Sequence, residues 1–160
     1  MNGSISASRR AVLSAGAAGA LSALIARAAE AAAPAAADAK LYPTAAFGAK
    51  TEAAALKLLF GKAPKASGKI DLGAPEIAEN GAVVPVTMAS SLPNVTAMAL
   101  LSLENPYTLA CAYRLAPGTL AHMSSRLKLA KTTKVVAVVE SNGALYRTSR
   151  MVKVTLGGCG

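Results

Sequence analysis

The sequence ends Val152-Lys153-Val154-Thr155-Leu156-Gly157-Gly158-Cys159-Gly160, and its most reactive side chain is the thiol of Cys159. Alternating apolar and polar residues up to Leu156 predict a β-strand. That strand passes without a loop into Gly157 and Gly158, then the cysteine, then Gly160. Glycine lacks a Cβ and samples both signs of φ, so the segment predicts a narrow, flexible arm able to enter a channel that excludes branched residues. From Leu156 the cysteine is three residues away, a reach of roughly 10 Å at about 3.3–3.6 Å per extended residue. The tail offers no helix N-terminus, and the terminal carboxylate disfavours a second negative charge. A free thiol of pKa about 8.5 is then only about a few per cent thiolate at neutral pH. Activation must come from whichever protein receives the arm. The spacing leaves two readings open: a carrier that holds a group covalently while partners do the chemistry, or a frayed tail whose cysteine invites intermolecular disulfides.

Other candidates for chemistry are sparse. The single histidine, His122, stands in a strand-like run without a nearby cysteine, aspartate or glutamate, and one histidine does not make a zinc site. Met88, Met98, Met123 and Met151 also fall in strand-like runs, where methionine fills core gaps more often than it binds copper. The six carboxylates after Ala39 are scattered, so no pair suggests a glycosidase or a metal site, and phosphate-binding glycine motifs are missing. In YTLACAYRL, alternation puts Leu109, Cys111, Tyr113 and Leu115 on one face of a strand. Cys111 is therefore expected as a buried free thiol rather than a disulfide partner of Cys159. An enzyme acting alone through Cys159 lacks an identifiable base or oxyanion donor. No catalytic residue and no metal ligand is assigned.

The elements that must present the arm follow from the rest of the chain. One hundred and sixty residues suit one domain, with a signal segment ahead of it. Arg9 and Arg10 precede an Ala/Leu/Gly stretch running to about Ala26, then Ala-rich sequence with several A-x-A sites. This is the layout of an export signal, and the paired arginines favour the twin-arginine route. Val12 stands where phenylalanine is usual and Ser14 where lysine is common. The apolar run falls short of the roughly 20 residues that span a bilayer. Cleavage after Ala28, Ala33 or Ala39 is open, and no stable membrane association is expected afterwards. Cutting after Ala39 leaves fourteen of the seventeen bases and six of the eight acids, so the mature domain keeps a charge of about +8. With few aromatics and no nucleic-acid motif, that charge suits small anions or acidic partner proteins rather than nucleic acid.

Residues 1–39 form this signal and Ala-rich segment, and residues 40–68 an extended lead-in, a short helix and a solvated basic linker. Thr51 is a candidate N-cap, Glu52 suits the positive end of the helix, Gly61 offers a left-handed stop, and Leu56, Leu59 and Phe60 make the buried stripe. From Lys69 the apolar period becomes two, in segments at 69–72, 77–78, 83–89, 95–103, 107–115, 120–129, 134–140 and 144–156, with turn residues between them. Asn142-Gly143 is the strongest turn, since both residues tolerate the positive φ of a type I′ hairpin. Such regular spacing predicts an all-β, immunoglobulin-like antiparallel β-sandwich over 69–156, preceded by the short N-terminal helix and followed by the flexible Gly-Gly-Cys-Gly arm at 157–160. Pro85 inside an apolar run marks an edge or bulged strand. Leu100 and Leu101 put apolar side chains on both faces of one strand, one face for the core and the other for a candidate subunit contact.

Four segments carry a family resemblance: PEIAENGAVVPVTMASSLPNV, ENPYTLACAYRLAPG, KVVAVVESNGALYRTSR and the terminal VKVTLGGCG. Together, from about Phe47 to Gly160, the chain resembles the SoxY family, the sulfur-carrier subunits of the periplasmic sulfur-oxidising Sox system. The resemblance implies an immunoglobulin-like sandwich paired as a heterodimer with SoxZ, and a terminal cysteine that holds intermediates of thiosulfate oxidation. It places that attachment on Cys159 and the arm on Gly157, Gly158 and Gly160. Transient partners implied are the cytochrome SoxAX, which joins thiosulfate oxidatively to the thiol, SoxB, which hydrolyses the terminal sulfone as sulfate, and SoxCD where present. No cofactor is implied beyond the covalently bound sulfur. The SoxZ contact is expected near Val95 to Leu103 and the edge containing Pro85. Members usually end GGCGG, whereas this chain stops one glycine earlier, and a natural ending and a truncation both remain open. The leading reading is a non-catalytic periplasmic sulfur carrier. The alternative is an exported structural or binding β-sandwich subunit whose terminal cysteine forms an intermolecular disulfide.

Overall fold

The computed structural model describes residues 43–155, all within one compact unit. The export signal with Arg9 and Arg10, the segment 1–39, and the arm residues Gly157, Gly158, Cys159 and Gly160 lie outside the described residues.

The chain runs α1 (Thr44–Phe47), α2 (Glu52–Phe60), β1 (Lys65–Ala66), β2 (Ile70–Gly73), β3 (Ile77–Ala78), β4 (Val84–Ser90), β5 (Val95–Ser102), β6 (Leu109–Arg114), β7 (His122–Leu127), β8 (Thr133–Ser141) and β9 (Ala144–Val154). The strands form an immunoglobulin-like sandwich of two sheets. The larger is ordered β1-β9-β8-β5-β6 with β3 also on β9, and the smaller β2-β4-β7. The antiparallel expectation needs one correction. Both β1 and β3 pair with β9 in parallel, Lys65 opposite Tyr146 and Ile77 opposite Lys153. Two residues each, they carry no signal in the sequence of the direction in which they pair.

The core between the sheets takes alternate residues from facing strands. Ile70, Leu72, Val84, Val86 and Met88 come from the smaller sheet, and Met98, Leu100, Val135, Ala137, Val139 and Val152 from the larger. The outer face of the larger sheet is also apolar, with Ala99, Leu101, Val136, Val138 and Leu145 beneath Ala46, Ala49, Ala55 and Leu56 of the helical segment. This corrects the expected subunit contact. Leu101 is fully buried by the chain's own helices, so in this fold the 95–103 strand has no apolar face left to offer a second protein.

The helix α2 follows its sequence signals. Thr51 Oγ1 accepts from the Ala54 N–H at 3.2 Å, and Gly61 stops the helix at φ +69°. Ala55 and Leu56 face the sheet, with Leu59 and Phe60 packed at its margin. Residues 40–50 are not simply extended, because α1 lies within them, and the linker is not simply solvated. It carries β1, and Lys62 donates to Glu140 at 3.0 Å and to the Gly143 carbonyl at 2.7 Å.

Asn142 and Gly143 take φ of +47° and +72° and close the β8–β9 hairpin, with Ser141 opposite Ala144. Pro85 lies in β4, the middle strand of its sheet, rather than on an edge strand. The even-numbered Ser90 N–H points to the β7 side and the odd-numbered Ser91 N–H to the β2 side. By alternation the Pro85 nitrogen faces β2, whose pairing ends with Gly73 opposite Thr87. The missing donor therefore falls where no partner strand stands.

Candidate functional site

Cys159 itself lies beyond the described residues, so the site is defined by where the domain lets the chain go. Its last strand, β9, ends at Val154, and Thr155 is exposed. This end is held from two sides. On one, the Lys153 N–H donates to the Glu76 carbonyl at 2.9 Å and the Thr155 N–H to the Ala78 carbonyl at 3.1 Å. On the other, the Val154 N–H donates to Thr132 Oγ1 at 3.0 Å, and that hydroxyl donates back to the Val154 carbonyl at 3.4 Å. Gly81 lies close beside this end. Its carbonyl accepts from the Leu129 N–H at 2.7 Å, and a Cβ there would sit 2.5 Å from the Leu129 carbonyl oxygen and 2.8 Å from Val154 Cγ1. The backbone approach requires a glycine, and it fixes the point from which the remaining residues depart.

The other thiol, Cys111, lies within the sandwich. A register shift at Leu100/Leu101 sets Leu100 opposite Cys111 and Leu101 opposite Leu109, leaving one extra residue in β6. Leu109 consequently packs under the helices and Cys111 toward the inter-sheet core, where it is half-buried. They do not lie on one face as alternation predicts. Burial pushes the Cys111 thiol up, and hydrogen bonds involving Leu100 and Tyr113 offset this only in part. A protonated, half-buried sulfur is a poor nucleophile and packs instead.

The remaining candidates are dispersed. His122 begins β7 and is exposed. Met88 and Met98 are core residues and Met123 is half-buried, as expected, but Met151 is 50 % exposed and fills no gap. Among the described residues, no three of His, Cys, Asp and Glu converge to hold a metal ion. A groove of about 700 Å³ is lined by Thr51, Glu52, Lys57, Lys62 and Arg147. Of its charged residues, Arg147 is already engaged with Glu52 at 2.7 Å and Lys62 with Glu140 at 3.0 Å, while Lys57 is exposed to solvent.

What sequence reasoning missed is the surface beside the end of β9. Ile77 is 55 % exposed there and Met151 50 %, and the hint in the sequence is only that both are large apolar residues at positions of a polar-facing alternation.

Comparisons with known proteins bear on the family and the fold. The model of the family described as sulfur oxidation protein SoxY matches residues 56–159, a span that includes the terminal cysteine. The sulfur carrier protein SoxY from Chlorobium limicola f thiosulfatophilum is 41 % identical, with a TM-score of 0.59 over 64 % of this chain and 94 % of that one. A superoxide reductase (neelaredoxin) from Ignicoccus hospitalis is 18 % identical, with a TM-score of 0.52 over 60 % of this chain and 98 % of its own, a likeness of fold alone. No curated protein matches. With a family match across most of its length and a sulfur carrier of the same architecture as a structural neighbour, the chain belongs to the SoxY family of sulfur oxidation proteins.

Proposed function

We propose that this protein is an exported, periplasmic sulfur carrier that binds thiosulfate-derived sulfur covalently on Cys159 and presents it to separate enzymes. The observation that carries the reading is that the family match extends to residue 159, past the last strand and over the cysteine. Family membership gives the coarser statement, a sulfur carrier acting with Sox partners. The attachment atom, the compartment and the partners are the proposal.

In the first step the Cys159 thiolate and the sulfane sulfur of thiosulfate form an S–S bond, and two electrons leave to an acceptor such as the SoxAX cytochrome. Water then attacks the terminal sulfone sulfur of the Cys–S–S–SO₃⁻ adduct, as SoxB would catalyse. The S–SO₃⁻ bond breaks, sulfate departs with two protons released, and a Cys159 persulfide anion, Cys–S–S⁻, remains. SoxCD, where present, would oxidise that persulfide. In this reading the acid, base and metal of these steps come from the partner enzymes rather than from this chain. The chain contributes a sulfur on a side-chain-free tether, Gly157, Gly158 and Gly160, and a firm base for it at Thr132 and Ala78. SoxZ is the stable subunit in this reading, and Arg9 and Arg10 direct export by the twin-arginine route.

Intact-mass spectrometry of protein from thiosulfate-grown cells, with and without reductant, tests it. Reductant-labile sulfur or thiosulfonate mass on the peptide containing Cys159, absent from Cys159→Ser, is expected. A protein carrying only an intermolecular disulfide at Cys159, with Cys159→Ser indifferent to thiosulfate oxidation, would favour the structural subunit instead.

A further inference from the structure

On the outer face of the larger sheet, α1 and α2 cover the Leu145 end of β9 and stop short of its far end. Side chains of opposed residues in paired strands project to the same face. Met151 stands opposite Lys134, Val136 opposite Ser149, and Ile77 opposite Lys153. Odd-numbered β9 residues share the helix-side face with Leu145, so Ser149, Met151 and Lys153 continue that face beyond the helices, with Lys134 and Ile77 flanking them. The strip is open to solvent. Ile77 is 55 % and Met151 50 % exposed, and Lys134, Ser149 and Lys153 are exposed as well. Among the described residues neither Lys134 nor Lys153 forms an ion pair, and the five positions include no carboxylate.

The length of chain beyond the structure fixes what this strip meets. Cys159 lies four residues beyond Thr155, a span of at most roughly 14 Å at about 3.3–3.6 Å per residue. Lys153 and its neighbour Ile77 are two residues from Thr155, and Met151 four, or about 7 Å and 13 Å at a strand rise of about 3.3 Å. An enzyme that encloses a sulfur on so short a tether must press against the domain around Thr155. A longer tether would free it from that contact.

The structure assigns the Ile77–Met151 strip as the docking surface for the enzymes that take up the arm, and it fits a partner with an apolar centre and an acidic rim. Ile77 and Met151 supply the desolvated contact, and Lys134 and Lys153 orient an acidic partner before the arm enters. The inference rests on the carrier reading, and it places recognition on this domain as well as on the cysteine.

The test follows thiosulfate-dependent mass gain at Cys159 when the full-length mature protein, in a Cys111→Ala background, is added to periplasmic extract of thiosulfate-grown cells. In Ile77→Asp/Met151→Glu the gain is expected to be about tenfold slower or more, the effect of losing a central interface contact. Reaction of the same thiol with a small aromatic disulfide should be unchanged, because a small reagent needs no docking. Should the double variant fail to fold, Lys134→Glu and Lys153→Glu take its place, with slowing expected at low salt and fading as ionic strength rises. Loading of folded variants at the wild-type rate overturns the docking surface and leaves the carrier reading standing. Loss of a co-purifying stable subunit from the variants also overturns it, since the strip would then be a permanent interface. A wild-type protein that never gains mass defeats the carrier reading and this inference with it.

Discussion

Thr132 Oγ1 both accepts from the Val154 N–H, at 3.0 Å, and donates to the Val154 carbonyl, at 3.4 Å. One hydroxyl from the segment before β8 thus replaces the strand partner that the end of β9 lacks on that side. It closes the ladder at the last residue of the last strand, the place where fraying is otherwise expected.

Thr132→Val keeps the side-chain shape and removes both bonds. Exposed hydrogen bonds contribute modestly, so a global loss of about 1 kcal/mol is expected. The local effect should be larger, with the Val154 amide exchanging hydrogen much faster while the centre of β8 stays protected. If Val154 keeps its wild-type protection in the variant, Thr132 does not hold the end of the strand.

Leu101 is fully buried beneath Ala55 and Leu56, whereas Leu58 on the same helix is 55 % exposed. Leu101→Ala should cost about 2–5 kcal/mol, the range for a buried leucine whose cavity only partly collapses. Leu58→Ala should stay within about 0.5 kcal/mol. Urea unfolding of the purified protein distinguishes the two, and similar small losses for both would mean that the helices do not cover the sheet in solution.

Glu140 gathers Lys62 at 3.0 Å, Thr96 at 3.0 Å and Arg114 at 3.3 Å on its two carboxylate oxygens. Burial pushes its pKa up, but the bonds from Lys62 and Thr96 and the charges of Lys62 and Arg114 together outweigh burial and hold it below the ordinary carboxylate value. With the folded pKa depressed, the unfolded chain takes up the proton first as pH falls. The contribution is therefore whole above the ordinary carboxylate range and is lost as pH drops through the lowered folded value. Glu140→Gln should be less stable than wild type at pH about 7, with a narrower gap at pH about 3, below the ordinary carboxylate range. Denaturant midpoints at both pH values check this, and an equal gap at the two would exclude the charge as its cause.

The sequence alone determined the features whose signals are local. Thr51, Glu52 and Gly61 mark α2 within a residue, because caps act on the nearest backbone groups. Asn142-Gly143 marks the hairpin, because positive φ is a property of those residues themselves. Most strands longer than three residues could be read from a period of two, and the terminal glycines and cysteine from composition. Only the tertiary structure decided which faces are covered and by what. Leu101 looks like a subunit contact until α1 and α2 fold back over it, and nothing local to VTAMALLSL encodes that return. Leu109 and Cys111 appear to share a face until the partner strand sets a register with one residue left over. Met151 looks like core until the helices stop short of it. Each of these depends on atoms distant in sequence, and alternation along one strand holds no information about them.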